Sequence, residues 1–240
     1  MPSSFRIARI LESEIRVHQL WLWGILLSAG LVLVTEGWRA AISDMATLLL
    51  GYLFVLLHEF GHALAARRFG IGTPTITIYP FGGVAFMEGF PRSPRAQVVV
   101  SIAGPLVNLV FAVPMLAAGL WNGMQADEFT LAWLVDTCVA INLVLAIFNL
   151  LPAYPMDGGR ILKAWTEVIL GDRVAVRVAF VAGQTIGVIF LAASIALVQP
   201  MLGLVGLFVL FMSAIETGRH PLWMLGLKPT EAMIRAAAKV

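Results

Sequence analysis

Two histidines and a glutamate occur together in one apolar segment, LLHEFGHALAA. His58 and His62 are four residues apart, so on a helix both imidazoles project from one face and can bind one metal ion. Glu59 lies about 100° around the helix from His58, near such an ion but off its ligand axis. In this H-E-x-x-H pattern two neutral imidazoles hold Zn²⁺, and the carboxylate takes a proton from the activated water. The spacing therefore predicts a zinc site with hydrolytic chemistry.

The same pattern also occurs by chance in soluble helices, where its side chains are usually solvated. Here the surrounding segment is almost entirely apolar, and the pentapeptide holds two of only four histidines in the chain. Ionisable groups are costly inside an apolar segment and rarely persist there without a role. The metal site is therefore the favoured interpretation.

A catalytic zinc ion usually takes three protein ligands plus water, so the two histidines need a partner. Asp157 is the best candidate, in the segment FNLLPAYPMDGGR. The prolines before it break the helix, and Gly158-Gly159 leave the backbone free to bring the carboxylate back towards the ion. The alternative is an ordinary turn carboxylate at the water interface. His18 and His220 lie at the ends of apolar segments, where an interfacial imidazole is the simpler interpretation.

The composition decides the class of protein that carries these residues. Hydrophobic residues make up 60% of the 240-residue chain and charged residues 12%, against about 45–50% and about 25% in soluble domains. A soluble enzyme is excluded, and the sequence predicts an all-α polytopic membrane protein. A membrane span needs about 20 apolar residues. We expect six transmembrane helices, at about 18–35, 45–66, 98–121, 129–151, 178–198 and 201–217.

The basic residues predict the orientation of these spans. With six spans, fifteen of the sixteen Lys and Arg residues fall on one side, and Arg39 alone falls on the other. The positive-inside rule then places both termini in the cytoplasm and the His58 pair in the inner half of the membrane. The net charge of +2 thus reports topology, and we expect no nucleic-acid partner.

A β-rich segment follows the histidine helix. Thr75–Tyr79 alternates in polarity, Gly82-Gly83 signals a turn, and a second short apolar run follows. We expect a membrane-associated β-hairpin that is buried in protein or lines a wet cavity. Its edge could hold an unwound substrate by strand addition, or the hairpin could be a purely structural re-entrant loop.

Two further amides lie in apolar segments. Gly104-Pro105 allows the third span to kink or to pack closely on the histidine helix. Asn108 follows within the same segment and needs a polar partner, which is either a group of the site or a neighbouring helix. The same two possibilities hold for Asn149, near the end of the fourth span.

Together, HEFGH and NLLPAYPMDGGR resemble the motifs of the site-2 protease family of intramembrane zinc metalloproteases, and SIAGPLVNLV is a further family-like segment. The six-span layout resembles the compact, sporulation-protease-like branch of that family. The resemblance implies one Zn²⁺ per chain, with His58, His62 and Asp157 as ligands and Glu59 as the general base. It also implies that Asn149 binds the substrate backbone or the developing oxyanion, and Asn108 is a weaker candidate for substrate binding.

The resemblance also implies a partner and a domain organisation. The substrate would be a membrane protein with a transmembrane segment, such as the precursor of a transcription regulator, with a regulatory membrane partner as a further possibility. We expect a single membrane-embedded domain over residues 1–240, with a catalytic core at about 45–165 and neither a PDZ nor a CBS domain. The tail KPTEAMIRAAAKV is similar to one short helix. The alternatives are a metal transporter and a catalytically silent zinc-binding scaffold.

Overall fold

The computed structural model describes residues 4–80, 82–89, 91, 93–123 and 125–218. His220 and the short helix predicted for the tail lie outside these residues. The described part of the chain is mostly helical, with seven α-helices and one four-stranded sheet. It divides into two compact units, one ending at Asn149 and the other beginning at Leu150.

The first unit holds the sheet and four helices. Strands β1 (Ser4–Ile10) and β2 (Ser13–His18) precede helices α1 (Gln19–Thr35) and α2 (Trp38–Arg67). Strands β3 (Thr75–Tyr79) and β4 (Gly82–Phe86) follow, and then helices α3 (Pro94–Ala117) and α4 (Leu131–Leu150). The strand order is β1-β2-β3-β4, so β4 is an edge strand among the described residues. The second unit holds α5 (Asp157–Leu170), α6 (Asp172–Ala196) and α7 (Pro200–Glu216).

The sheet is larger than the predicted hairpin. The β3–β4 hairpin is present, with Ile76 opposite Ala85 in antiparallel register. Strand β2 runs parallel to β3, and β1 pairs antiparallel with β2, so the prediction of an all-α chain is wrong at the N-terminus. In the sequence of β2 the apolar residues Ile15 and Val17 alternate with polar residues, and this alternation was the signal for a strand. Ile15 and Val17 are buried in the structure.

In the described part of the chain, four helices are long and apolar enough to cross a membrane, namely α2, α3, α4 and α6. The first and last predicted spans correspond to α1 and α7, which are apolar but have 17 residues each. The count of six spans therefore stays a prediction. Large apolar side chains on the four long helices point outwards, as Val110 and Val144 do with 61% and 65% exposure. This outward-facing apolar surface is what a lipid environment requires.

Helices α2 and α3 pack closely because a glycine lies at their contact. A Cβ atom on Gly61 would lie 2.6 Å from the carbonyl oxygen of Ala103 and 2.8 Å from Cγ2 of Val107. A side chain at this position would push the helices apart. The close approach brings the face of α2 that carries both histidines against α3.

In the second unit, small residues allow a close α6–α7 hairpin. A Cβ atom on Gly206 would lie 2.8 Å from the carbonyl oxygen of Gly187, and one on Gly187 would lie 2.6 Å from Cγ of Leu210. Such close approach at small residues is typical of helices that associate in lipid.

Candidate metal centre

Helix α2 places the two histidines as their spacing predicts. His58 and His62 lie in its C-terminal half and are buried, with 4% and 7% exposure. Their rings are nearly perpendicular, at 84°, and the two Nε2 atoms are 3.1 Å apart. Both imidazoles therefore direct the same ring atom to one point.

A backbone carbonyl sets the tautomer of His62. Its Nδ1 lies 2.7 Å from the carbonyl oxygen of Val100 on α3. A carbonyl oxygen only accepts, so Nδ1 carries the proton and donates. The lone pair of His62 is then on Nε2, the atom that faces His58.

The side-chain amide of Asn108 sets the tautomer of His58. Its Nδ1 lies 2.7 Å from Oδ1 of Asn108, and Nδ2 of Asn108 donates to Oδ1 of Asn142 at 2.9 Å. His58 Nδ1 is therefore the donor, and its Nε2 also carries a lone pair. Two lone pairs 3.1 Å apart cannot hydrogen-bond to each other. A cation bound by both atoms would make this contact favourable. Both rings are prepared as metal ligands, with the other nitrogen held by a hydrogen bond, as at protein zinc sites.

Gly104 keeps the space beside these atoms open. It lies on α3 between Val100 and Asn108, at intervals of four residues, so the three share one face of the helix. A Cβ atom on Gly104 would overlap Nε2 of His62 and lie 2.7 Å from Nε2 of His58. Glycine is therefore the residue that this position needs if an ion is to bind there.

Glu59 is held by the edge strand. The backbone N–H of Ala85 on β4 donates to Oε2 of Glu59, 3.2 Å away. The carboxylate is only half-buried and is next in sequence to a histidine of the centre. This position suits a proton acceptor for water near the two imidazoles rather than a metal ligand.

Asp157 is the first residue of α5, not a residue of a free turn. It is buried, with 8% exposure, and a carboxylate is favoured at a helix N-terminus. The glycines after it allow the preceding segment to fold closely: a Cβ atom on Gly158 would overlap the carbonyl oxygens of Leu150 and Leu151. His58 and His62 belong to the first unit and Asp157 to the second, and the role of Asp157 as the third metal ligand stays a prediction.

The remaining predicted residues are placed as follows. Asn149 is half-buried near the end of α4, and its Nδ2 donates to the carbonyl oxygen of Leu145. His18 is the N-cap of α1 and stacks on Tyr79, so it has a structural role.

Asn108 makes both contacts that its sequence position suggested, to a site histidine and to a neighbouring helix. Its predicted contact with substrate stays a prediction.

Three groups that hold the side chains of the site were not predicted from the sequence. Two of them, the Val100 carbonyl and the Ala85 N–H, are backbone groups, which no residue type reveals. Asn142 is the third, and it had a signal. It is a fully buried amide in an apolar helix, seven residues before Asn149 and so on nearly the same face of α4.

The fold and the site together define a multi-pass helical membrane protein with a candidate zinc centre at two buried histidines. The model of peptidase family M50 matches residues 45–130 and 120–194, and the chain belongs to this family. The resemblance to the site-2 protease family is thereby confirmed, and zinc is the metal of that family.

Individual relatives agree with this assignment. The chain is 30% identical over 211 residues to a zinc metalloprotease of Methanocaldococcus jannaschii, covering 88% of this chain and 60% of that protein. It is 35% identical over 153 residues to stage IV sporulation protein FB of Bacillus subtilis, covering 62% of this chain and 46% of that protein. The chain thus spans about half of the length of such relatives. The solved site-2 protease from Methanocaldococcus jannaschii matches with a TM-score of 0.62 and 29% identity, over 89% of this chain and 95% of that one.

Proposed function

We propose that this protein is a zinc-dependent intramembrane peptidase, which hydrolyses a peptide bond in or near the transmembrane segment of a membrane-bound substrate. The observation that carries the proposal is the convergence of two Nε2 lone pairs, 3.1 Å apart, on the helix that also carries Glu59. Two relatives, a zinc metalloprotease and a sporulation protein, support the same chemistry by family membership.

His58, His62 and Asp157 are the proposed ligands of one Zn²⁺ per chain. A bound zinc ion supplies Lewis acidity, which activates water and polarises a carbonyl group. Glu59 accepts the proton of the attacking water and then delivers it to the nitrogen of the leaving amine. The hydrogen bond from Ala85 restricts the carboxylate so that it does not have to be ordered during the reaction.

The proposed substrate site includes the open edge of β4. Ala85 lies opposite Ile76, yet its N–H points to Glu59 and thus away from β3. The outward backbone groups of this strand are therefore next to the proposed base. A substrate segment added to this edge would be extended, which exposes the carbonyl groups that a helix keeps in hydrogen bonds. We further propose that Asn149 contacts the substrate backbone or the developing oxyanion.

We propose six membrane crossings, with both termini in the cytoplasm and the site in the inner half of the bilayer. Helices α1 and α7 have 17 residues each, which is about 25 Å at about 1.5 Å per residue and close to the shortest length that spans hydrocarbon. With this topology Arg39 is the exception among the basic residues. Its guanidinium lies over the Trp38 and Phe129 rings, at 5.8 and 6.0 Å.

Zinc content tests the ligand set without a known substrate. The purified protein in detergent is expected to hold about one zinc per chain, and His58→Ala and Asp157→Ala are each expected to lose it. His18→Ala is the matched control, because this histidine caps α1 and is not one of the proposed ligands. Wild-type protein without zinc, or full zinc content in Asp157→Ala, would contradict the proposed centre.

Cleavage tests the role of Glu59. Single-span membrane peptides mixed with the purified protein in detergent provide the substrate pool, and mass spectrometry locates the cut bonds. Glu59→Gln should keep its zinc and lose cleavage by about 10²–10⁴-fold, the usual size of general acid–base catalysis. Glu36→Gln, a change of the same type at the end of α1, should leave cleavage unchanged. Undiminished cleavage by Glu59→Gln would favour another base, and zinc without any cleavage would favour a silent scaffold or a transporter.

A further inference from the structure

A line of hydrogen bonds connects His58 to the backbone of α4. From Nδ1 of His58 the line passes to Asn108 at 2.7 Å, from Asn108 to Asn142 at 2.9 Å, and from Asn142 to the carbonyl oxygen of Cys138 at 2.8 Å. Both amides are fully buried, with 0% exposure. We propose that Asn142 is a positioning residue of the metal centre, which acts through Asn108 to hold His58 in the tautomer that binds metal. The inference rests on the proposed function.

The direction of this line is set at its far end. An amide side chain can rotate by half a turn and exchange its donor for its acceptor, so Asn108 alone does not determine which proton His58 carries. The carbonyl oxygen of Cys138 only accepts, and Asn142 must therefore present Nδ2 to it and Oδ1 to Asn108. Asn108 then presents Nδ2 to Asn142 and Oδ1 to His58, which leaves Nδ1 of His58 as the donor.

The two histidines differ in this respect. His62 donates directly to a backbone carbonyl, that of Val100, and this contact has only one possible direction. His58 is linked to a backbone carbonyl, that of Cys138, through the side chains of Asn108 and Asn142, and both of these amides can rotate. The tautomer of His58 is therefore the one that a distant substitution can change.

Asn142→Leu removes the anchor without touching either histidine. Asn108 then has no partner that fixes its orientation and can present Nδ2 to Nδ1 of His58. That contact favours the other tautomer, in which Nε2 carries the proton and cannot bind a metal ion. Substitutions of such outer partners usually weaken metal binding by about 10–100-fold, and we expect a loss of that size.

The experiment measures zinc affinity in detergent by competition with a chromophoric chelator. Thr137→Val is the matched control, since Thr137 is buried on the same helix and its hydroxyl has no hydrogen-bond partner among the described residues. The decisive comparison repeats Asn142→Leu in the Asn108→Asp background. A carboxylate has no N–H to present to His58, so it accepts from Nδ1 in either orientation. Asn142→Leu should therefore weaken zinc binding in the wild-type background and lose that effect in the Asn108→Asp background.

Histidine-selective ¹⁵N spectra of the zinc-free protein give a second readout. We expect His58 to be protonated on Nδ1 in the wild type, and on Nε2 to a large extent in Asn142→Leu. A purely structural role for Asn142 predicts equal losses of affinity in both backgrounds and no tautomer change, and either result would overturn the inference. If the wild type binds no zinc, the proposed function fails, while the spectra still decide whether Asn142 controls the tautomer.

Discussion

The proposed base of this protein, Glu59, accepts a hydrogen bond from the backbone of Ala85, an edge-strand residue 26 positions later in the chain. The contact joins α2, which carries both site histidines, to β4. The orientation of the carboxylate thus depends on the sheet. Substitutions in β4 are expected to affect catalysis without affecting zinc.

Gly83 tests this dependence. A Cβ atom there would lie 2.7 Å from Cγ of Glu59 and 3.1 Å from Cγ1 of Val55, so Gly83→Ala must displace the glutamate side chain. A misplacement of about 1 Å in a catalytic group can cost about 100-fold in rate. We therefore expect Gly83→Ala to lower kcat by about 100-fold at unchanged zinc content, measured with the peptide cleavage assay.

The control for this variant is Gly89→Ala. A Cβ atom at Gly89 would have nothing within 4 Å, and its backbone does not lie in the left-handed region. This variant should cleave at the wild-type rate. Loss of zinc in Gly83→Ala would mean that β4 supports the whole centre rather than Glu59 alone.

Lys163 should make the second unit sensitive to alkaline pH. Burial lowers the pKa of Lys163, but hydrogen bonds and attraction to Glu167 and Asp172, each 2.9 Å away, outweigh burial and raise the pKa above its ordinary value of 10.5. A raised pKa means that the stabilisation is complete below about pH 10.5 and is lost as the pH rises through the folded-state pKa. Each of these partly exposed pairs is worth about 0.2–1 kcal/mol.

The measurement is the thermal unfolding midpoint in detergent at pH 8 and pH 11. Lys163→Met should unfold at a lower temperature than the wild type at pH 8, and the difference should shrink at pH 11. Lys163→Arg is the control, because arginine stays charged at both pH values. A difference between Lys163→Met and wild type that is equal at both pH values would contradict the ion-pair explanation.

The parts of the site that depend on one helix could be predicted from the sequence. The four-residue spacing of His58 and His62 is enough, because helix geometry converts it into a shared face. The β3–β4 hairpin was equally accessible from its alternation, although Gly82 and Gly83, which were predicted as the turn, are the first two residues of β4 and pair with Tyr79 and Ile78. In both cases the relevant interactions are local in sequence.

The parts that depend on contacts between elements could not be predicted. Leu11 and Glu12 connect β1 to β2 with positive φ values of 47° and 66°, as in a two-residue hairpin turn, but without the usual Asn-Gly signal. Asn142 was visible as an amide in an apolar helix, yet its hydrogen bond to Asn108 requires the packing of α3 on α4. Sequence shows that such a group needs a partner, and only the fold identifies it.

Asn149 is expected to act on the substrate rather than on the metal. One N–H of its amide is used within α4, by the carbonyl oxygen of Leu145 at 3.0 Å, and the proposed role needs a second N–H of the same amide. Loss of one oxyanion donor typically costs about 10²–10³-fold in kcat. Asn149→Leu should therefore lower kcat by this factor and retain one zinc per chain. Asn122→Leu, in the α3–α4 connection, should change neither quantity, and zinc loss in Asn149→Leu would contradict a substrate role.

Gly104 provides the strictest test of the metal position. A Cβ atom there would overlap Nε2 of His62 and lie 2.7 Å from Nε2 of His58, so a single methyl group competes with the ion for its space. We expect Gly104→Ala to bind zinc at least about 100-fold more weakly, since both histidine ligands are affected, each by a loss of the size known for metal-site partners.

The control is Gly51→Ala on α2, where a Cβ atom would have nothing within 4 Å. This variant should bind zinc normally. Circular dichroism and gel filtration check that both variants keep the fold. Wild-type affinity in a folded Gly104→Ala protein would mean that the ion is bound through atoms other than these two Nε2 atoms.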